Sequence, residues 1–219
     1  MQLQSFNDIK HAFYINLDHR YDRKNFIENE MRILGINFER FSAIENVNGA
    51  IGCTLSHLHL LKLALDNNYE HILIVEDDIQ FLQPKIFKQQ FNKFLELHGN
   101  SWDVILLSGN NIPPYEKPDD SCIRVFSCQT TTGYLVNRHY IQKLYDNIKD
   151  GLLKLMKNPE QHFFYAIDKY WFNLQSIDRW YLITPLTVIQ REGYSDIEKR
   201  DTNYSRMMLD LDKLFLFRK

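Results

Sequence analysis

Residues 72–79 read ILIVEDDI, four apolar residues leading into three adjacent carboxylates, Glu76, Asp77 and Asp78. Like charges crowded at the end of a buried stem repel one another and cost stability unless a cation or a basic cluster compensates them. A divalent metal is the economical partner. Oxygen-only ligands select a hard ion such as Mn²⁺ or Mg²⁺, which keeps open positions for water and for the oxygens of a diphosphate. A solvated turn is the competing account of such a triplet.

Other residues add chemistry of the same kind. INLDHRYDR places Asn16 at the end of one apolar run, with Arg20 and Arg23 just beyond it, where guanidinium forks can meet phosphate or a ribosyl group. GAIGCTLSH (49–57) opens a second periodic segment with glycines and small polar residues, so that backbone amides can approach an anion at a helix amino end. Its spacing matches neither a P-loop nor a dinucleotide fingerprint. His57 follows Cys53 by one turn. A structural histidine is the simpler account, and Cys53 lacks a base partner that would make it a nucleophile.

These residues need a frame. AFYINL (12–17) has the form of a buried parallel strand, and a helix capped by Asp18 is expected to run to Leu34 and end at Gly35. A second strand is expected in NFERFSAI (37–44) and a helix over 52–65, which returns the chain to HILIVEDD as a βαβαβ half-sheet. Ligands of such sheets bind outside the carboxyl ends of the strands, where the acids stand. Further on, a helix should start at Pro84, strands should form in WDVILLSG, CIRVFSC and GYLVN, and helices should follow Asn137 and cover 163–174. WYLITPLTVIQ (180–190) reads as extended. Met207, Leu211, Leu214 and Phe215 have helical spacing, giving a C-terminal tail that docks on its own domain or touches a membrane surface. The stretch 110–120 reads as a surface loop.

Composition sets the bounds. A chain of 219 residues with 44% hydrophobic and 14% aromatic content can core one domain, with residues 1–11 as an N-terminal extension and 198–219 as a helical tail. A net charge of -2 provides no basic face for nucleic acid. Three cysteines without a CxxC pair suggest neither a disulfide framework nor a structural zinc site, and favour a reducing, cytoplasmic setting. The longest purely apolar run is five residues, 163–167, so neither a signal peptide nor a membrane span is expected.

Taken together, FYINLDHRYDR, GAIGCTLSH and ILIVEDD, followed by WDVILLSG, TTGYLVNR, Asp168 in AIDKYW and PLTVIQREGYSDI, resemble glycosyltransferase family 25, the lipooligosaccharide and procollagen galactosyltransferase family. The resemblance covers about residues 12–197. It implies a GT-A-type, Rossmann-like α/β fold with a mixed, mostly parallel sheet, a UDP-sugar donor and inversion at the anomeric carbon. The family's acidic motif maps onto Glu76, Asp77 and Asp78. Asp78 is the first choice for direct Mn²⁺ (or Mg²⁺) contact, and Asp77 or Glu76 touches metal, water or ribose. Asn16, Arg20, Arg23, Gly52, Ser56, His57 and Gln190 fall on the donor side.

The reaction also needs a general base on the opposite face of the sugar. Asp168 is the candidate, with Ile167, Tyr170 and Trp171 as a sugar-stacking surface, and Asp196 is the second. Gln190 and Ser195 shape the same rim, Thr131 and Thr132 offer hydroxyls from the strand nearest the sugar, and the loop 110–120 is a candidate acceptor edge. The expected activity is transfer of a hexose, galactose first and glucose next, to a hydroxyl of a glycan, glycoprotein or glycolipid. A metal-dependent nucleotidyltransferase or phosphodiesterase, or a non-catalytic sugar-nucleotide-binding module, is the alternative.

Overall fold

A computed structural model describes residues 3–213. In chain order the elements are β1 (Ala12–Asn16), α1 (Tyr21–Leu34), β2 (Glu39–Ser42), α2 (Gly49–Asp66), β3 (His71–Glu76), β4 (Ile79–Phe81), α3 (Pro84–His98) and β5 (Val104–Leu106). There follow β6 (Asn110–Asn111), β7 (Tyr115–Glu116), β8 (Cys122–Val125), β9 (Cys128–Gln129), β10 (Gly133–Asn137) and α4 (Arg138–Lys157). The chain continues through α5 (His162–Tyr165), α6 (Ile167–Tyr170), α7 (Phe172–Gln175), β11 (Trp180–Ile183), β12 (Val188–Gln190), β13 (Gly193–Ser195), β14 (Arg200–Thr202) and α8 (Ser205–Leu209).

The main sheet has the order β2-β1-β3-β10-β5-β11-β8-β7. Parallel pairing of β1 with β2 and β3, and of β5 with β11, leaves only β10 and β8 reversed, so the sheet is mixed with most strands pointing one way. This is the mixed, mostly parallel sheet expected from the sequence. Its apolar runs do not alternate because both faces are covered. Ile72 and Ile74 of β3 face the layer of α2 and α4, whereas Leu73 and Val75 face the layer of α1 and α3. Residues near the amino end join the second layer, where Phe6 packs edge-on against Phe87 and Phe91 at 5.5 and 5.0 Å between ring centres.

Several expectations need correction. Asp18 does not cap α1; its carboxylate accepts from Arg40 and Ser42, and the helix begins after Arg20 without a side-chain cap. The helix expected over 163–174 is three short pieces, broken at Ala166 in an extended conformation. The breaks let Trp171 bury its ring and donate to the Cys128 carbonyl at 2.9 Å. The loop 110–120 contains two short strands, and Asn110 and Asn111 are buried. WYLITPLTVIQ divides at Thr184–Pro185 into β11, which stays in the main sheet, and β12, which pairs with β4.

The terminal helix ends at Leu209, where the extended Asp210 accepts from the amides of Asp212 and Lys213. Leu211 therefore lies beyond it. Leu214, Phe215 and the basic end of the tail are outside the described residues. Among the described residues no helix is long and apolar enough to cross a membrane.

Candidate active site

The register of the sheet assembles the site. Ile15 of β1 lies opposite Glu76 of β3, so the carboxyl ends of both strands coincide. Asn16 then donates to Asp77 Oδ2 at 2.7 Å, while its own Oδ1 accepts from Arg40 Nε at 3.0 Å. The first turn of α1 brings Arg23, whose Nη1 donates to Asp77 Oδ1 at 2.8 Å and to Asp78 Oδ2 at 3.0 Å. From the other side β12 supplies Gln190, in register with Ile79, whose Nε2 donates to Asp78 Oδ2 at 3.1 Å.

Glu76 faces elsewhere. Its Oε1 accepts from Thr131 Oγ1 at 2.6 Å, lies 3.4 Å from His57 Nε2 and receives a weak thiol contact from Cys53 at 3.7 Å. Buried His57 is held at its other nitrogen by the Tyr134 hydroxyl, 2.8 Å away. Burial opposes the Glu76 charge, but His57 and Thr131 outweigh it and hold the carboxyl below its ordinary range. Burial, and then the Glu76 charge, push the Cys53 thiol far up, which removes it as a nucleophile.

A cleft of about 300 Å³ opens here, lined among others by Arg23, Glu76, Asp77, Asp78, Gln190 and Asp196. Its far wall is the hairpin of β13 and β14. Arg20 pairs with Asp196 and Asp22, and Arg23 Nη2 donates to the Tyr194 carbonyl at 2.8 Å, so both arginines tie this hairpin to the site. Ser195 is in the same hairpin and its Oγ accepts from the Glu198 amide.

The amino end of α2 borders the cleft, but its first amides are engaged. Asn48 Oδ1 accepts from the amides of Ala50 and Ile51. Ser56 accepts from the Ile44 amide at 2.8 Å and donates to the Gly52 carbonyl, which braces the segment after β2 against the helix. Gly52 is needed for that approach, since a Cβ there would meet the Ile44 carbonyl oxygen at 2.5 Å.

Asp168 does not line the cleft. It accepts from the Thr130 amide at 3.1 Å and so supports a residue at φ +75°. Burial first, with the Glu76 charge in the same direction, pushes its carboxyl up against the pull of Lys169 and the Thr130 amide. The stacking surface expected beside it is absent, because Ile167 and Trp171 are buried and the Tyr170 hydroxyl is bound by Asp150 and Lys154. Thr132 is wholly buried in the strand approach.

The acids fit a hard cation. Two carboxylates, Asp77 and Asp78, share one guanidinium, and Asp78 Oδ1 is buried without a hydrogen-bond partner. Burial, then the Glu76 charge, push the Asp78 carboxyl up to about 7 despite Arg23. Sequence reasoning missed Arg40, Tyr134 and Asn48. Two left a signal, Arg40 as a charge within the predicted strand 37–44 and Asn48 as a capping residue type just before α2.

Comparison with known proteins adds a lineage. The family model described as glycosyltransferase family 25 (LPS biosynthesis protein) matches residues 45–171, more than half of the chain. A glycosyltransferase 25 family member of Aedes aegypti is 24% identical over 170 residues, which cover 62% of this chain and 28% of the relative. Procollagen galactosyltransferase 1-B of Xenopus laevis is 26% identical over 177 residues, covering 64% and 28% respectively. The chain thus spans little more than a quarter of the length of these relatives. Among solved structures, a glycosyltransferase involved in glycosylation of the major capsid of PBCV-1 aligns with a TM-score of 0.44 and 15% identity, over 78% of this chain and 80% of that one.

Proposed function

The chain belongs to glycosyltransferase family 25, and from that premise we propose that it is a metal-dependent inverting hexosyltransferase. The donor is a UDP-sugar, galactose first and glucose next, and the acceptor is a hydroxyl of a glycan, glycoprotein or glycolipid. The observation that carries this reading is the set of strand-end carboxylates with one guanidinium between them and an orphaned Asp78 oxygen. Asp78 and Asp77 would hold Mn²⁺ or Mg²⁺, which when bound supplies positive charge for the departing diphosphate.

The remaining work falls to the chain. Asn16 and Gln190 orient the two aspartates, Arg20 and Arg23 offer guanidinium donors to phosphate oxygens, and Glu76, positioned by Thr131 and His57, accepts from a donor hydroxyl. Asp168 is the base for the acceptor hydroxyl in this reading; because it lies off the cleft and accepts from the Thr130 amide, that role requires this contact to open when the acceptor binds. Asp196 stays paired with Arg20 and shapes the rim. The two-metal phosphodiesterase reading needs several acids to converge, whereas Asp168 is turned to the Thr130 amide and Asp196 to Arg20. The unpaired thiols favour a reducing, cytoplasmic setting.

A thermal-shift screen of UDP, UDP-galactose and UDP-glucose, each with and without Mn²⁺, tests the reading. A ligand that binds only the folded chain raises its apparent stability. Metal and nucleotide are expected to enhance each other's shift; no shift with any UDP-sugar would end the donor assignment.

A further inference from the structure

Four strands away from β3 in the main sheet, on β8, a second group of ligating side chains converges. His98 is the last residue of α3, Asp119 lies in the connection between β7 and β8, and Cys122 opens β8. None of the three contributes to the cleft around Glu76, Asp77 and Asp78. His98 Nε2 lies 2.7 Å from Asp119 Oδ2 and 3.6 Å from Cys122 Sγ, and Sγ lies 3.8 Å from the same Oδ2.

These distances have the form of one face of a tetrahedron. Zinc bond lengths put the sulfur–nitrogen and sulfur–oxygen edges near ~3.6 Å and the nitrogen–oxygen edge near ~3.3 Å. The two sulfur edges are already at that size. The third is shorter, the length of the hydrogen bond that imidazole and carboxylate share. The surroundings are organised as well. Asp119 Oδ1 is occupied by the Ser121 amide and hydroxyl, leaving Oδ2 toward His98 and Cys122. The His98 ring is stacked on Phe94 at 4.4 Å and leans on Tyr181 at 5.1 Å. Cys122 is fully buried, while His98 and Asp119 side chains are 16% and 21% exposed, so solvent reaches one side of the group.

We propose that His98, Asp119 and Cys122 bind a divalent transition-metal ion of the zinc class, with water in the fourth position, and that this ion fastens the end of the 110–120 loop to α3. A thiolate–imidazole–carboxylate set favours such an ion over Mg²⁺ or Ca²⁺, which take oxygen ligands, so this site is chemically distinct from the hard-ion site at Asp77 and Asp78. A thiol must lose its proton to ligate such an ion, so ion uptake displaces the Cys122 proton. The ion is therefore taken up less readily as the medium is acidified.

The test is a Co²⁺ titration of the EDTA-stripped full chain in Mn²⁺-free buffer. One equivalent is expected to produce a thiolate-to-cobalt charge-transfer band in the near ultraviolet and visible bands of tetrahedral intensity, both abolished by Zn²⁺. The bands should vanish in Cys122→Ser, weaken in His98→Gln and persist in Cys53→Ser. Zn²⁺ alone should raise the melting temperature of the wild type and not of His98→Gln, a milder change at a partly exposed helix end that serves if Cys122→Ser does not fold. No charge-transfer band in the wild type overturns the proposal. So does a band that survives Cys122→Ser and disappears in Cys53→Ser, which would place the ion at the Cys53, His57 and Glu76 group instead.

Discussion

One nitrogen of Arg23 stands 2.8 Å from Asp77 and 3.0 Å from Asp78, so a single guanidinium is shared by two neighbouring buried carboxylates and offsets only one of their charges. Removing one partner of a buried charge group leaves the other uncompensated, at a cost of about 3–5 kcal/mol. Arg23→Gln should lose stability of that order in urea unfolding at pH 8. Added Mn²⁺ should restore part of it, because a cation at the acids substitutes for the missing charge. A variant that Mn²⁺ does not rescue would mean that Asp77 and Asp78 are not a cation site.

Asp78 makes the pH dependence specific. Its folded-state value of about 7 lies above the ordinary 3.8, so between those limits the folded chain keeps a proton that the unfolded chain releases. Stability contributed by the protonated carboxyl is present below about pH 4 and is lost as the pH rises to about 7. Asp78→Asn removes this loss. Its melting temperature in EDTA should match wild type near pH 4 and exceed it at pH 8 by several degrees, at about 2–4 °C per kcal/mol. With saturating Mn²⁺ at pH 8 the order should reverse, and equal metal shifts in both proteins would contradict the assignment.

The base assignment separates binding from chemistry. Asp168→Asn should keep Mn²⁺ and UDP binding and lose transfer by about 10²–10⁴-fold, the usual worth of a positioned base. Asp196→Asn, which weakens only an ion pair with Arg20, should act mainly on the apparent donor affinity. Measured kcat and KM with a transferred sugar distinguish the two, and exchanged phenotypes would make Asp196 the base.

Gly52 offers a test of the frame alone. A Cβ placed 2.5 Å from the Ile44 carbonyl oxygen meets backbone on both sides and has no flexible chain end to push aside. Gly52→Ala should cost about 1–3 kcal/mol as overpacking. A neutral result in chemical denaturation would show that the segment after β2 moves freely.

The half-sheet was legible in the sequence because its signals are local. The unbroken apolar runs of β1 and β3 require burial on both faces, and Gly35, at φ +70°, ends α1 where its spacing predicts. Elements failed where tertiary bonds overrode periodicity. The apolar spacing across 163–174 predicts one helix, but Trp171 and Gln175 both bind backbone of Cys128, and the chain breaks to let them do so.

The candidate site divides along the same line. The sequence by itself determined that acids stand at the tip of a buried strand with Asn16, Arg20 and Arg23 following a second one, because a parallel sheet brings strand ends of like direction to one edge. Only the tertiary structure decided how the three carboxylates divide, Glu76 toward Thr131 and His57, Asp77 and Asp78 toward Arg23. It also decided that Gln190 reaches Asp78 across 112 positions of chain and that Asp168 turns to the Thr130 amide. Side-chain direction at a strand end depends on which distant donors fold against it, and no local pattern of residue types encodes the register of those partners.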